Sequence, residues 1–232
     1  MKDLSSLVFL YAETPLHAGS GTALGAVDLP VQRERMSNLP MVQGSGVKGA
    51  LRAELNGRHQ DASDRSEWRS FDLALFGREP PKKGRPEDEN AEDKAGALSL
   101  LDARLLLLPV RTVWGGFAWV TSPMILQRFV RDLEIAGIEV PWQLVETDDD
   151  KARVGPRATI VKGTSFIIED LEYEAVHDPA VAKLAEWLAS NAVPETKGYK
   201  PFAERLPLQL AIVGDAEMKF LSERATEVVT RV

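Results

Sequence analysis

The sequence predicts an α+β fold, and three observations carry that prediction. Short apolar, β-favouring runs alternate with stretches whose apolar residues recur at helical spacing. Strand and helix patterns alternate through the chain instead of separating into a block of strands and a block of helices. A hydrophobic content of 44% over 232 residues suits one globular domain, or one core with sizeable insertions. A ferredoxin-like (RRM-like) core is the expected centre of such a pattern.

The elements follow in order. Ser5 to Thr14 carries Leu7, Val8, Phe9, Leu10 and Tyr11 and reads as a buried strand that Pro15 ends. Val47 to Asn56 has Val47, Ala50, Leu51 and Leu55 at helical spacing, with Gly57 placed to stop it. Ser66 to Phe76 predicts a second helix with Trp68, Phe71, Leu75 and Phe76 inward and Gly77 as terminator. Residues 78–95 have almost no apolar content and read as a mobile loop. Ala97 to Val110 divides into strands around Asp102 and Arg104, and Trp114-Gly115-Gly116 turns the chain into another strand. Ser122-Pro123 starts a helix to about Ala136. The pattern weakens from Gly137 to Thr164, and strand character returns at Ser165 to Tyr173. Asp178-Pro179 starts a helix through Ala189, and Asn191 to Leu206 reads as irregular. Leu208 to Val213, Asp215 to Glu223 and Glu227 to Val232 read as strand, helix and strand.

Composition excludes several classes. The chain has no cysteine, so disulfides and thiolate metal sites are out, which fits a reducing cytoplasm. It has no apolar run of membrane-spanning length, and Met1 to Ser6 does not open a signal peptide. A soluble cytoplasmic protein is expected. The formal charge is −7 and the sequence pI about 5.2, which argues against strong affinity of an isolated subunit for free RNA. The acid is concentrated, however, in Glu87-Asp88-Glu89 with Glu92-Asp93 and in Asp148-Asp149-Asp150. Phosphate responds to a local patch, not to the total.

One stretch offers such a patch. Between Ala12 and Leu55, Gly19-Ser20-Gly21 and Gly44-Ser45-Gly46 flank a segment that carries the carboxylate Asp28 and the pair Arg33 and Arg35. Lys48 and Arg52 follow four residues apart, so both lie on one helical face. Glycines allow close backbone approach, and a helix start attracts anions. Ser45 is placed to cap that helix or to donate its hydroxyl to a phosphate. The GxxxxGK[ST] pattern is absent, which disfavours a nucleoside triphosphate and leaves a sugar-phosphate backbone. Each feature also has an ordinary meaning: a Gly-Ser helix cap, solvated arginines paired with Glu34 or Glu13, a surface His17, a loop carboxylate at Asp28.

Several motifs in fixed order tip that balance. HAGSG, GAVDLPVQRER, QGSGVKGALR, LFG, AGALSLLDARLLLLPVRT, GFAWVTSP and ATEVVTRV together resemble the repeat-associated (RAMP) superfamily of CRISPR proteins, and within it the backbone subunits of type III-B effector complexes. The resemblance implies a core with finger and thumb insertions, the thumb expected at residues 191–206 or, second, at 137–164. It implies copies of the chain stacked along a guide RNA, with other complex subunits, cutting paired target RNA once per repeat. Asp28 matches the family's cleaving acid. Two roles are open to it: holding a divalent cation, Mg²⁺ or Mn²⁺, or accepting the proton of a 2′-OH. His17, Arg33, Arg35, Gly44, Ser45, Gly46, Lys48 and Arg52 are the implied RNA contacts. Relatives continue past the TEVVTR piece, so a C-terminally short single domain over residues 1–232 is expected. A non-catalytic guide holder and a guide-precursor processing endonuclease leaning on His17 are the alternatives.

Overall fold

A computed structural model describes residues 4–19, 30–59, 65–78 and 95–226. These fall into two compact units, one of residues 18–19, 30–32, 41–59, 65–78 and 95–104, the other of residues 4–17, 33–40 and 105–226. The expected mobile loop, apart from Arg78 and Ala95, and the expected last strand lie outside the described residues.

The smaller unit contains β1 (Met41–Val42), α1 (Gly44–Arg58), α2 (Arg65–Phe76) and β2 (Ala103–Arg104). β1 pairs antiparallel with β2, Met41 opposite Arg104 and Val42 opposite Ala103. α2 stops as expected at Gly77, whose φ of 82° is open to glycine and whose N–H donates to Leu73 O. Its inward face differs from the expectation: Phe76 is buried, but Phe71 is 54% exposed. At 100° per residue Phe71 and Phe76 point about 140° apart, and the helix turns Asp72 and Phe76 inward, so Phe71 is left outside. Helix α1 begins three residues earlier than its apolar spacing suggests and runs past Gly57 to Arg58.

The larger unit contains β3 (Leu108–Arg111), β4 (Phe117–Thr121), α3 (Pro123–Ile135), β5 (Lys151–Val154), β6 (Ser165–Ile168), β7 (Leu171–His177), α4 (Pro179–Asn191), α5 (Lys200–Gln209), β8 (Leu210–Ile212) and α6 (Asp215–Arg224). The strands form one mixed sheet in the order β3-β4-β8-β5-β7-β6. β4 with β8 and β5 with β7 are parallel; the other neighbours are antiparallel. The two outer strands also meet. Glu169 N donates to Arg111 O, Val113 N donates to Ile167 O, and Thr112 bridges Ile168, so the sheet curls towards closure and hides part of its edges.

The central strands are apolar on both faces because both faces are covered. Ala118, Val120, Ala211 and Val213 face a core with Val154, Phe166, Met218 and Leu221, the last two from α6. Trp119, Leu210 and Ile212 face the opposite core, filled by Leu126, Phe129 and Leu133 of α3, Leu184 and Leu188 of α4, and Leu206 of α5. β3 shows the alternation expected of a half-covered strand, with Leu108 and Val110 buried and Pro109 and Arg111 exposed. Pro123 begins α3 directly after Ser122, and Asp178 accepts a hydrogen bond from Ala180 N to cap α4.

Four other expectations need correction in this unit. The Ser5–Thr14 strand is absent among the described residues: Leu7, Phe9 and Tyr11 pack on the helical core, while Leu4, Val8 and Leu10 are exposed. Its alternation is real, but no described strand offers it a ladder. β5 lies in the stretch that gave no clear pattern, because four residues are too short to show a period. Ser165 to Tyr173 is a hairpin rather than one strand; Glu169 turns it at a φ of 49°. Finally, Asn191 to Leu206 is irregular only as far as Tyr199, after which Pro201 sits in the first turn of α5 and Leu206 is buried.

One carboxyl in this unit is poorly placed for its charge. A buried oxygen of Glu217, in the first turn of α6, has no hydrogen-bond partner. Burial raises its pKa above the ordinary range, and Asp149, Asp150 and Asp215 add to the shift against a lowering by its own backbone N–H. Tyr173 is pushed up to about 12 by burial, with Glu217 contributing. A raised carboxyl pKa means the folded state holds its proton longer than the unfolded state. Stability from this group is therefore full below the ordinary carboxylate pKa and lost as pH rises through the folded value. Glu217→Gln is expected to melt higher than wild type at pH 7 to 8 and level with it near pH 4; an equal gap at both, measured by thermal unfolding, contradicts this.

Candidate nucleic-acid interface

The glycine cluster of the smaller unit is not a loop in front of a helix but the helix's own first turn. Gln43 is the N-cap, and its side chain makes no capping bond. Ser45 is thus a helical residue and not the cap. Gly44 is buried, and its N–H donates to Asp102 Oδ1 at 2.8 Å. A carboxylate from the chain itself therefore holds one of the four amides that a helix start leaves free. A Cβ at Gly44 would collide with Leu100 O and lie 2.8 Å from Leu101 C. The close approach this glycine permits is to residues 100–101. Gly46 differs: it is exposed, and a Cβ there would meet nothing within 4 Å.

Lys48 and Arg52 do share a face of α1, and the fold already engages both. Lys48 Nζ donates to Leu98 O at 2.7 Å. Arg52 makes a two-pronged pair with Asp72 at 2.9 and 2.6 Å, donates to Gly77 O at 2.9 Å, and lies over the Phe76 ring. Both members of that ion pair are largely buried. This arginine ties α1 to α2 and to the turn that follows. Arg58 pairs with Glu54 on the surface.

In the larger unit Arg33 and Glu34 are anchors. Arg33 donates to Asn38 O at 2.8 Å and to Ser222 O at 3.0 Å, so its guanidinium closes a turn and fastens it to α6. Glu34 accepts both prongs of Arg128 from α3, and this bond raises the Arg128 pKa further. Asn38, at a φ of 59°, donates to Glu223 Oε1, and Leu39 enters the core. The sequence reading offered Glu34 only as a surface partner for the neighbouring arginines; its partner is Arg128, 94 positions away. Arg35 is exposed and has no partner among the described residues; His17 is half-buried.

Asp28 lies outside the described residues. The described residues on either side of that stretch pair with each other in the smaller unit. Gly19 bridges Val31, Gln32 N donates to Ala18 O, and Gln32 Nε2 donates to Gly19 O. Among the described residues no group of three or more His, Cys, Asp or Glu side chains is arranged to hold a metal ion. No described helix is long and apolar enough to cross a membrane.

A model of the RAMP superfamily matches residues 9–230, and the chain belongs to that superfamily. It is similar to the CRISPR system Cmr endoribonuclease Cmr4 of Pyrococcus furiosus, with 34% identity over 231 residues, 97% of this chain and 70% of that one. A second relative, the CRISPR system CMR subunit Cmr4 of Saccharolobus solfataricus, is 35% identical over 106 residues, 45% of this chain and 29% of the relative. Among solved structures, oligomeric Cmr4 from Pyrococcus furiosus superposes with a TM-score of 0.69 over 94% of this chain and 72% of that one, at 28% identity.

Two substitutions separate scaffold from interface. Gly44→Ala forces a collision with backbone and is expected to cost about 2 kcal/mol or more in denaturant unfolding. Gly46→Ala is expected to fold as well as wild type, so any loss of RNA affinity there reads out close approach by the ligand. Arg52→Ala leaves Asp72 and Gly77 O without their donor and is expected to cost about 2 to 4 kcal/mol. An Arg52→Ala protein of wild-type stability contradicts the structural role.

Proposed function

We propose that this chain is a repeated backbone subunit of a type III-B CRISPR ribonucleoprotein that binds guide RNA and cleaves complementary target RNA. The observation that carries this reading is the 34% identity to a Cmr endoribonuclease across 97% of the chain. Copies of the chain, the guide, the target strand and the other complex subunits are its partners. An oligomeric solved relative supports the self-association.

The strand order supports a ferredoxin-like core in the larger unit. Taking β5, β6, β7 and β8 as first to fourth, the spatial order β8-β5-β7-β6 is fourth, first, third, second, the order of that fold. The third-to-fourth crossover carries α4 and α5, whereas residues 155–164 replace the first crossover helix. β3 and β4 extend the sheet beyond β8. The exposed turn at residues 195–198, with Lys197 and then Lys200, is the part of the expected thumb segment free to reach RNA.

For cleavage, Asp28 is the assigned acid. A nucleotide displaced from the duplex brings its 2′-OH in line with the adjacent phosphorus. The 2′-oxygen bonds to phosphorus as the bond to the 5′-oxygen breaks, leaving a cyclic phosphate and a 5′-OH. Asp28 accepts the 2′-OH proton, and water supplies one to the leaving oxygen. If Asp28 instead held a divalent cation, the ion would supply charge neutralisation at the phosphate. Ser45 and Gly46 of the smaller unit are assigned to the guide backbone, and so, separately, are Arg35 and His17 of the larger unit. Arg33, Gly44, Lys48 and Arg52 shape the segments that present them.

The test uses the complex assembled with guide RNA and its partner subunits on end-labelled complementary RNA. Wild type is expected to give a regular ladder with Mg²⁺ and none with EDTA. Asp28→Asn is expected to abolish the ladder while target affinity stays within about twofold. Cutting that survives Asp28→Asn removes Asp28 from the chemistry. A ladder unchanged by EDTA removes the cation.

A further inference from the structure

We infer that Met36, carried beside Arg35 at the tip of the turn between Glu34 and Leu39, is an apolar wedge that enters a base step of the guide RNA while Arg35 holds the flanking phosphate. The inference rests on the RNA-binding reading above, in which Arg35 is assigned to the guide backbone. It uses neither of the segments, 191–206 and 137–164, in which the thumb is expected. The residues around the tip are tied to the larger unit. Arg33 bridges Pro40, and its guanidinium donates to Asn38 O at 2.8 Å and to Ser222 O of α6 at 3.0 Å. Glu34 N donates to Leu39 O at 2.9 Å, and the Glu34 carboxylate accepts both prongs of Arg128 from α3 and the hydroxyl of Ser37. Asn38, at a φ of 59°, donates its N–H to Glu34 O at 2.9 Å and its side-chain amide to Glu223 Oε1 at 2.7 Å. Leu39 is buried in the core.

Arg35 and Met36 stand outside this network. Met36 is 96% exposed, and Arg35 is exposed with no partner among the described residues. A single exposed apolar side chain is ordinary. What sets this one apart is the framework beneath it, which ties the turn to α3, to α6 and to the core while its tip returns nothing to the fold. Turns favour glycine, proline, asparagine, aspartate or serine for their backbone geometry, and methionine supplies none of what those residues do. An element held in place before binding loses little freedom when it meets its ligand. The chemistry of the tip fits a step between bases. Methionine is thin and unbranched, its thioether packs well on aromatic faces, and it is among the apolar side chains that part stacked bases beside cations on the backbone. A pocket on a protein would accept the methionine and leave the guanidinium unanswered, whereas the phosphodiester flanking an opened step answers both. An opened guide step also interrupts the duplex that forms on it. The target nucleotide opposite is then displaced, which is the geometry the in-line attack requires.

The test uses the complex assembled with its partner subunits on guide RNAs that carry 2-aminopurine, a base whose fluorescence rises when it is unstacked, at one position at a time. Met36→Ala is expected to dim at least one guide position that is bright in the wild-type complex, and Met36→Leu to restore it. Met36→Ala is also expected to slow target cleavage about tenfold while guide and target affinities stay within about twofold. Arg35→Gln is expected to reduce the slope of log K for guide binding against log salt by about 1. Met36 is almost wholly exposed, so its variants are expected to melt with the wild type and the fluorescence reports the contact rather than the fold. A profile that is identical in wild type and Met36→Ala at every guide position overturns the wedge. So does a Met36→Ala chain that loads fewer copies per guide with its base profile unchanged, which assigns the methionine to a neighbouring protein. A wild-type complex that takes up no guide RNA removes the functional reading itself, whereas an insensitive variant of a guide-loaded complex removes only the wedge.

Discussion

The two-sided burial of β4 and β8 is the constraint on which the larger unit depends. Their residues alternate between two separate apolar cores, so the layer of α3, α4 and α5 and the layer closed by α6 meet at the same two strands. A polar substitution at either face leaves a buried group without water or partner, and neither layer has another sheet surface to use. The connections inherit this order. Thr121 and Ser122 at the end of β4 lead at once into α3, and Val213 and Gly214 at the end of β8 lead into α6. Asp215 Oδ1 then accepts from Met124 N, so the acid that starts α6 also satisfies the start of α3.

Charged residues divide into those the fold uses and those it leaves available. Arg33, Lys48, Arg52 and Arg128 each donate to carbonyls or carboxylates of the chain, and each closes a turn or joins two elements. Their conversion to neutral residues would act first on folding and only then on RNA. Arg35 and Arg157 have no such bonds among the described residues. This distinction matters for an acidic protein that acts on nucleic acid. With a net charge of −7, association depends on where uncompensated cations are held, not on how many the chain contains.

The fold was legible wherever a local rule governs local structure. The start of α3 at Ser122-Pro123, the capped start of α4 at Asp178-Pro179, the stop of α2 at Gly77 and the turn at Gly115-Gly116 all follow from backbone freedom and capping, which neighbours in sequence decide. The failures share a cause as well. β5 is too short to announce itself, and the hairpin after Ser165 turns at Glu169, which belongs to no common turn signal. The apolar stretch near the N-terminus has the alternation of a strand, but a strand also needs a partner, which a single segment cannot encode.

By itself the sequence determined the α+β character, most helix positions and the superfamily, because each is written in neighbouring residues or in an ordered set of motifs. The tertiary structure alone decided what the candidate residues do within the protein. Asp102 reaches Gly44 across 58 positions, Asp72 reaches Arg52 across 20, and Ser222 O reaches Arg33 across 189. Whether a cation is a strut or a free contact depends on such distant acceptors. Their positions are fixed by packing, so no local pattern in the chain can report them.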